Sequence, residues 1–397
     1  GKQNSAPGNE ILIDPFRIFL SNSISFMLAI FFITISVYSQ DRVITTGVPF
    51  LQITPDARAA GMGDMGVATS ADEFSQQWNP AKYPFNTNNE GFAISYTPYL
   101  SKLVNDIFLG NVTYYKKLNE RSAWATSFKY FSLGDIQFNE IIGGTIVDQG
   151  IEKPNELTLD ISYSLKLSEL FSMSVVARYI RSDLKLSSDS DSSSANSIGI
   201  DISAFYKSKS FEFSGMNSIL RSGINISNIG PRLKYDVGGR QNFIPTNLKV
   251  GTGLQMNIDD DNSITVNLEL NKLLVPTPIA FFDQNNEFIG YKQPDVGFLK
   301  GIIESFSDAP EGFKEELQEI AWSLGFEYVF KNNFSLRTGY FNENKYKGSR
   351  RYITFGTGFL INQMNFNVSY LFSTSNVRSP LENTLRFSLA FNIGETI

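Results

Sequence analysis

The chain contains no cysteine and no histidine among its 397 residues. The first absence removes disulfides, thiol nucleophiles and thiolate metal sites; the second removes Ser-His-Asp relays and imidazole-ligated metals. A basic excess is missing too, because 34 Lys and Arg against 40 Asp and Glu leave a formal charge of −6. That sign is wrong for a nucleic-acid footprint, so nucleic acid is not expected as a partner. Catalytic residues, cofactors and metals are all expected to be none. Mean hydropathy is only −0.13, far below that of a bundle of membrane helices. What is plentiful is aromatic: 34 Phe, 17 Tyr and 3 Trp.

One long apolar run stands out, Ile18 to Val37, preceded by Lys2 and Arg17. Val37 and Ser39 occupy the small-residue positions of a signal-peptidase site, and polarity returns at Gln40. Residues 1–39 therefore read as a secretory signal rather than a single helical anchor.

From residue 91 onward the period is two. Leu157, Leu159, Ile161, Tyr163 and Leu165 alternate with Thr158, Asp160, Ser162 and Ser164, which makes a strand with one apolar and one polar face. Scored this way, the chain predicts strands near 91–99, 107–117, 121–131, 157–167, 171–181, 198–208 and 219–229. Seven more fall near 245–256, 263–270, 321–331, 333–342, 350–360, 364–373 and 384–392. Even-numbered connections are short, except 209–218, whereas 132–156, 182–197, 230–244 and 271–320 are long. Short turns on one side and long loops on the other predict an all-β fold, a transmembrane outer-membrane β-barrel of about fourteen antiparallel strands. Its loops would be extracellular, its turns and N-terminus periplasmic, and outer-membrane lipid would surround it. Closure pairs every backbone group in hydrocarbon, and alternation keeps the average hydropathy low. Tyr96, Tyr99, Tyr114, Tyr130, Tyr163, Tyr328 and Tyr340 are candidates for interfacial girdles.

Residues 40–90 do not alternate and read as a plug ahead of the 91–397 barrel. They hold a formal G-x-G-x-x-G at Gly61, Gly63 and Gly66. A dinucleotide site would need a βαβ unit around it, and none follows. Glycine here better suits close backbone approach inside the lumen.

The stretch ITPDARAAGMGDMGVATSADEFSQQWNPAKYPF (Ile53–Phe85), with DRVITTGVPF before it, resembles the N-terminal signature of the PorV family of the type IX secretion system. The looser pattern is similar to the FadL-like superfamily of plugged barrels. Arg58, Gly61, Gly63, Asp64, Gly66, Asp72, Asn79 and Pro80 carry the plug motif. The resemblance implies a non-enzymatic component of protein transport. Such a protein associates with the SprA (Sov) translocon and binds the C-terminal signal domains of secreted cargo. It then shuttles cargo to a cell-surface attachment complex containing a PorU-type sortase. The runner-up is a FadL-like channel for hydrophobic small molecules such as fatty acids; a hydrolase is disfavoured by the missing histidine.

The 271–320 loop has its own apolar character. Phe281, Phe282 and Phe288 lie in its first half; Val296, Leu299, Ile302, Ile303 and Phe306 follow at helical spacing, continued by Phe313, Leu317 and Ile320, with Phe298 among them. Long structured loops are commonly functional, so Phe281, Phe282, Phe288, Phe298, Leu299, Ile302, Ile303, Phe306 and Phe313 are the candidate surface for a translocon or cargo domain. The competing expectation is a lid that turns them inward over the barrel mouth. Ser187–Ser194 lacks the spacing of a calcium loop and reads as a solvated segment; Asp259–Asn262 reads as a hairpin turn.

Overall fold

The computed structural model describes residues 42–101, 106–142, 145–184, 194–235, 241–375 and 379–393. The proposed signal segment, most of the serine-rich stretch and the last four residues lie outside these.

Fourteen strands form one antiparallel wall. The first seven are β1 (Glu90–Pro98), β2 (Ile107–Asn119), β3 (Ser122–Leu133), β4 (Asn155–Lys166), β5 (Phe171–Asp183), β6 (Ala195–Lys207) and β7 (Met216–Ile229). The others are β8 (Asn247–Asn257), β9 (Asn262–Leu273), β10 (Ile320–Phe330), β11 (Phe334–Asn342), β12 (Arg351–Ile361), β13 (Met364–Ser373) and β14 (Leu385–Asn392). Each pairs with its neighbours in chain order, and β1 pairs with β14 from Gly91↔Asn392 to Tyr96↔Phe387. The sheet thus closes and leaves no edge. Within the wall, β7 bulges between Ile226 and Ile229, where Asn228 has a φ of 59°.

The alternation is inside out relative to a soluble protein. On β4, Leu159, Ile161 and Tyr163 are exposed while Thr158, Asp160, Ser162 and Ser164 are buried. An apolar outer face and a polar inner one suit a wall with hydrocarbon outside. Aromatic pairs cross the strands near both rims: Tyr96 to Phe108 at 5.3 Å, Tyr114 to Trp124 at 5.4 Å, and Trp322 to Tyr340 at 5.5 Å. Tyr99 departs from the girdle expectation. It turns inward and meets Phe131 edge-on at 5.4 Å, because the plug offers an apolar cluster around Phe50 there.

Connections 120–121, 167–170, 258–261, 331–333 and 362–363 are tight, and 274–319 is the longest on the opposite end. The one exception to parity disappears. Phe211–Phe213 pairs back onto β7, and Ser214 and Gly215, both with positive φ, close a two-residue hairpin turn. At the loop end, Ile136–Ile142 pairs with Thr145–Glu152, and Ile279–Phe282 pairs with Phe288–Lys292.

Residues 42–89 run through the lumen. They begin among the long loops, where the Gly47 amide donates to the Phe243 carbonyl at 2.8 Å and Arg42 pairs with Glu315 at 3.3 Å. They end at the turn end, where Glu90 opens β1. This differs from a purely periplasmic N-terminus: the first described residues sit at the loop end, because Val48 and Phe50 bury against Leu233 and Ile244 there.

Candidate functional site

The plug is held to the wall by charge and by the absence of side chains. The short helix α1 (Ala57–Ala60) starts at Asp56, whose carboxylate accepts from the Ala59 amide at 2.9 Å and from the Trp78 indole N–H at 2.8 Å. An acidic N-cap satisfies an amide that would otherwise be orphaned. The helix carries Arg58 to the far wall. There the guanidinium donates to both oxygens of Glu327 at 3.0 and 2.9 Å, and to Asp72 at 2.7 Å. Glu327 also accepts from Arg337 at 2.6 Å. Gly61 packs so closely that a Cβ there would lie 3.0 Å from the Gly356 Cα. Gly63, with a φ of 81°, lies against the Tyr340 backbone, where any side chain would be strained.

The remaining motif residues join the same scaffold. Asp64 accepts from the Tyr352 hydroxyl at 2.5 Å and from Arg386 at 2.7 Å. Gly66 and Val67 both donate backbone N–H groups to Glu269 at 2.9 Å. Asn79 donates to the Val67 and Ala204 carbonyls at 3.0 and 2.9 Å, and the Pro80 carbonyl accepts from Ser164 at 2.8 Å. All eight residues of the motif are therefore brought together in one interface between plug and wall. Their contacts are cohesive: each joins plug to plug or plug to wall.

A second cluster was not singled out in the sequence. Arg178 is buried between Asp160 and Asp201, with contacts of 2.9 to 3.1 Å, and the bulge on β7 turns Asn228 onto its guanidinium. The available signal was a charged residue on the polar face of a strand, as at Asp160, Arg178, Asp201, Glu269 and Glu327. Between this cluster, the plug and the outer rim lies a cavity of about 420 Å³, lined by Lys129, Arg178, Asn225, Asn247 and Lys249 among others. It is polar enough to be hydrated.

The candidate loop behaves in the opposite way. Helices α2 (Phe298–Glu304) and α3 (Phe313–Gln318) are short. Buried Glu315 and Glu316 root α3, together with Glu319 just beyond its end. Lys347 reaches Glu315 at 2.7 Å and Glu319 at 2.9 Å. Lys272 reaches Glu316 at 3.0 Å and Glu319 at 2.7 Å. Burial pushes the Glu315 carboxyl up, but hydrogen bonds from Lys347 and from the Glu311 amide outweigh it and hold it below its ordinary value of 4.5. Burial raises Asp308 above its ordinary value, moderated by hydrogen bonds from Thr277.

With the acids turned in, the apolar residues turn out. Phe313 is 77% exposed and Ile303 73%; Phe281, Phe282, Phe288, Leu299 and Phe306 are exposed as well. Phe298 and Ile302 are only half-buried. The lid expectation, with these side chains folded inward, is not what this loop does. The rim below it offers the cations Lys272, Lys347 and Arg42, which attract carboxylates rather than phenyl rings. Among the described residues no group of His, Cys, Asp and Glu is arranged to hold a metal ion.

Residues 36–280 match the family model described as Type IX secretion system protein PorV. No curated protein matches the chain. Among solved structures, the toluene transporter TodX of P. putida aligns with a TM-score of 0.49 at 12% identity, covering 86% of this chain and 99% of that one. A Pseudomonas aeruginosa FadL homologue gives 0.46 at 10% identity, covering 86% and 98%. The Acinetobacter baumannii outer-membrane protein Omp33 gives 0.35 at 8%, covering 77% and 98%.

Proposed function

Because the chain belongs to the PorV family of type IX secretion system proteins, and is an outer-membrane β-barrel component of that system, we propose that it acts by holding other proteins at its loop end. In this reading it associates with the SprA (Sov) translocon, receives cargo through the C-terminal signal domain, and passes it to the PorU-type attachment complex. It performs no covalent chemistry itself.

The observation that carries the reading is the exposed apolar surface of the 274–319 connection. Ile303, Phe306, Phe313 and Leu317 face solvent on a loop whose acids are anchored below. A soluble monomer rarely leaves so many large apolar side chains together in water, and aromatic anchors of this kind carry much of the energy of protein interfaces. The family match ends at residue 280, so the assignment to this loop rests on its own chemistry. The plug supports a holding role as well, because a lumen crossed by Arg58 and Arg337, both paired with Glu327, is not a greasy conduit.

The test is capture from solubilised outer membranes. The protein carrying Ile303→Asp and Phe313→Asp should retain its fold and lose roughly thirtyfold in capture of a cargo signal domain, the scale of losing one hot-spot residue. Unchanged capture moves the binding surface elsewhere. Normal cargo attachment in a deletion strain, with loss of fatty-acid uptake, replaces the secretion reading with a channel.

A further inference from the structure

The opposite end of the lumen carries chemistry that the proposed role does not use. Where the plug leaves the barrel, a hollow of about 630 Å³ is lined by Pro84–Thr87 and by Lys117, Lys166, Lys207 and Lys209. Three of these lysines belong to β2, β4 and β6 and continue the inward register. Lys117 follows inward Thr113 and Tyr115, Lys166 follows Ser162 and Ser164, and Lys207 follows Ser203 and Phe205. They therefore form the last rung of the polar face, on every second strand. The only acids lining the hollow are Glu120 and Glu169, both exposed on turns.

The rung is organised rather than loose. Lys166 holds its ammonium 4.7 Å from the centroid of the Phe85 ring, and Lys117 donates to the Asn86 carbonyl at 3.2 Å. Neither Lys166 nor Lys207 has an ion pair among the described residues. A second observation is independent of charge. Asn86 is 7% exposed, and its Oδ1 accepts from the Asn88 amide at 3.4 Å. Its Nδ2 has no partner. A buried amide donor left open beside ammonium groups asks for an acceptor that carries negative charge.

We propose that this hollow is a binding site for an acidic peptide segment, which enters from the turn end and lays carboxylates along the lysine rung. Strand spacing selects the ligand. Neighbouring strands stand about 4.8 Å apart, and each lysine lies two residues beyond the position level with the previous one, so successive lysines are about 12 Å apart along the wall, a separation that three to four residues of extended peptide match. One phosphate ion spans no such distance. The lysines share the inner face with the plug, not the lipid-facing side, which disfavours a lipid headgroup. The site is separate from the loop-end surface and stands whether or not that surface binds cargo.

The experiment uses the full chain in zwitterionic detergent and a fluorescein-labelled peptide with glutamate at every third position. Fluorescence anisotropy should show binding that weakens as salt is raised. Lys166→Gln combined with Lys207→Gln should weaken it roughly tenfold, as expected for two charge-assisted contacts. Lys300→Gln, at the other end of the barrel, should leave it unchanged. Heat-modifiable migration on gels verifies that each variant is folded; should the double variant fail this check, Lys209→Gln alone replaces it and should still weaken binding. Equal affinity of folded variants and parent overturns the proposal. So does a peptide that fails to bind while inorganic phosphate or phosphatidylglycerol vesicles bind with the same lysine dependence.

Discussion

The plug and the 274–319 loop are both irregular segments attached to the same wall, yet they spend their side chains in opposite ways. In the plug, apolar and small residues such as Ala57, Ala60, Met62 and Val67 are buried, and every charge of the motif meets a partner. In the loop, acids go in and phenylalanines stay out. Cohesion and availability are thus divided between two regions. Motif residues whose charges are paired and whose surface is buried have little left with which to bind. One rooted by a few ion pairs keeps an apolar face for another molecule.

Removing the plug's central cation should break this contrast most severely. Arg58→Ala leaves Glu327 and Asp72 without that partner in a buried site and should cost about 3–5 kcal/mol, the scale for a broken buried ion pair. Thermal unfolding of the detergent-solubilised barrel reads it; a loss under about 1 kcal/mol, an exposed-pair value, would mean the cluster is solvated. Gly61→Leu comes next. It forces a side chain against Gly356 and should cost about 1–3 kcal/mol by overpacking, also visible as a lower unfolding midpoint.

The loop should respond to acid instead. Glu315 has a folded-state pKa below its ordinary 4.5, so its contribution to anchoring is present above 4.5 and fades as pH falls through the lower folded value. Limited proteolysis at α3 should therefore accelerate in that acidic window, and Lys347→Gln should flatten the dependence. Smallest in stability is the pair Ile303→Asp and Phe313→Asp, expected within about 0.5 kcal/mol of the parent because exposed sites tolerate change. A large destabilisation would erase the distinction between the two regions.

Much of the wall was legible because a strand's period of two is local. All fourteen predicted segments correspond to strands, and the sorting of connections by length survives with its exception removed. The glycines of the plug were legible for a similar reason, since small residues in a run imply close approach. The partners of Arg58 were not, because Glu327 lies 269 positions away and a charge on a strand's polar face announces only that it points inward. Ile302 was grouped with Ile303 and Phe313 by spacing, yet it is half-buried where they are exposed, so the periodicity did not separate the two kinds of position. Tyr99 read as a girdle residue until the plug supplied an apolar neighbour.

By itself the amino-acid order determined the barrel, its two unequal ends and the presence of a plug, because hydrocarbon requires paired backbone and alternating faces all along the chain. Only the tertiary structure decided which charges meet, which way the long loop turns, and that a row of lysines with an open asparagine gathers where the plug leaves. Those outcomes depend on groups far apart in sequence competing for the same space and the same partners. No local period encodes that competition.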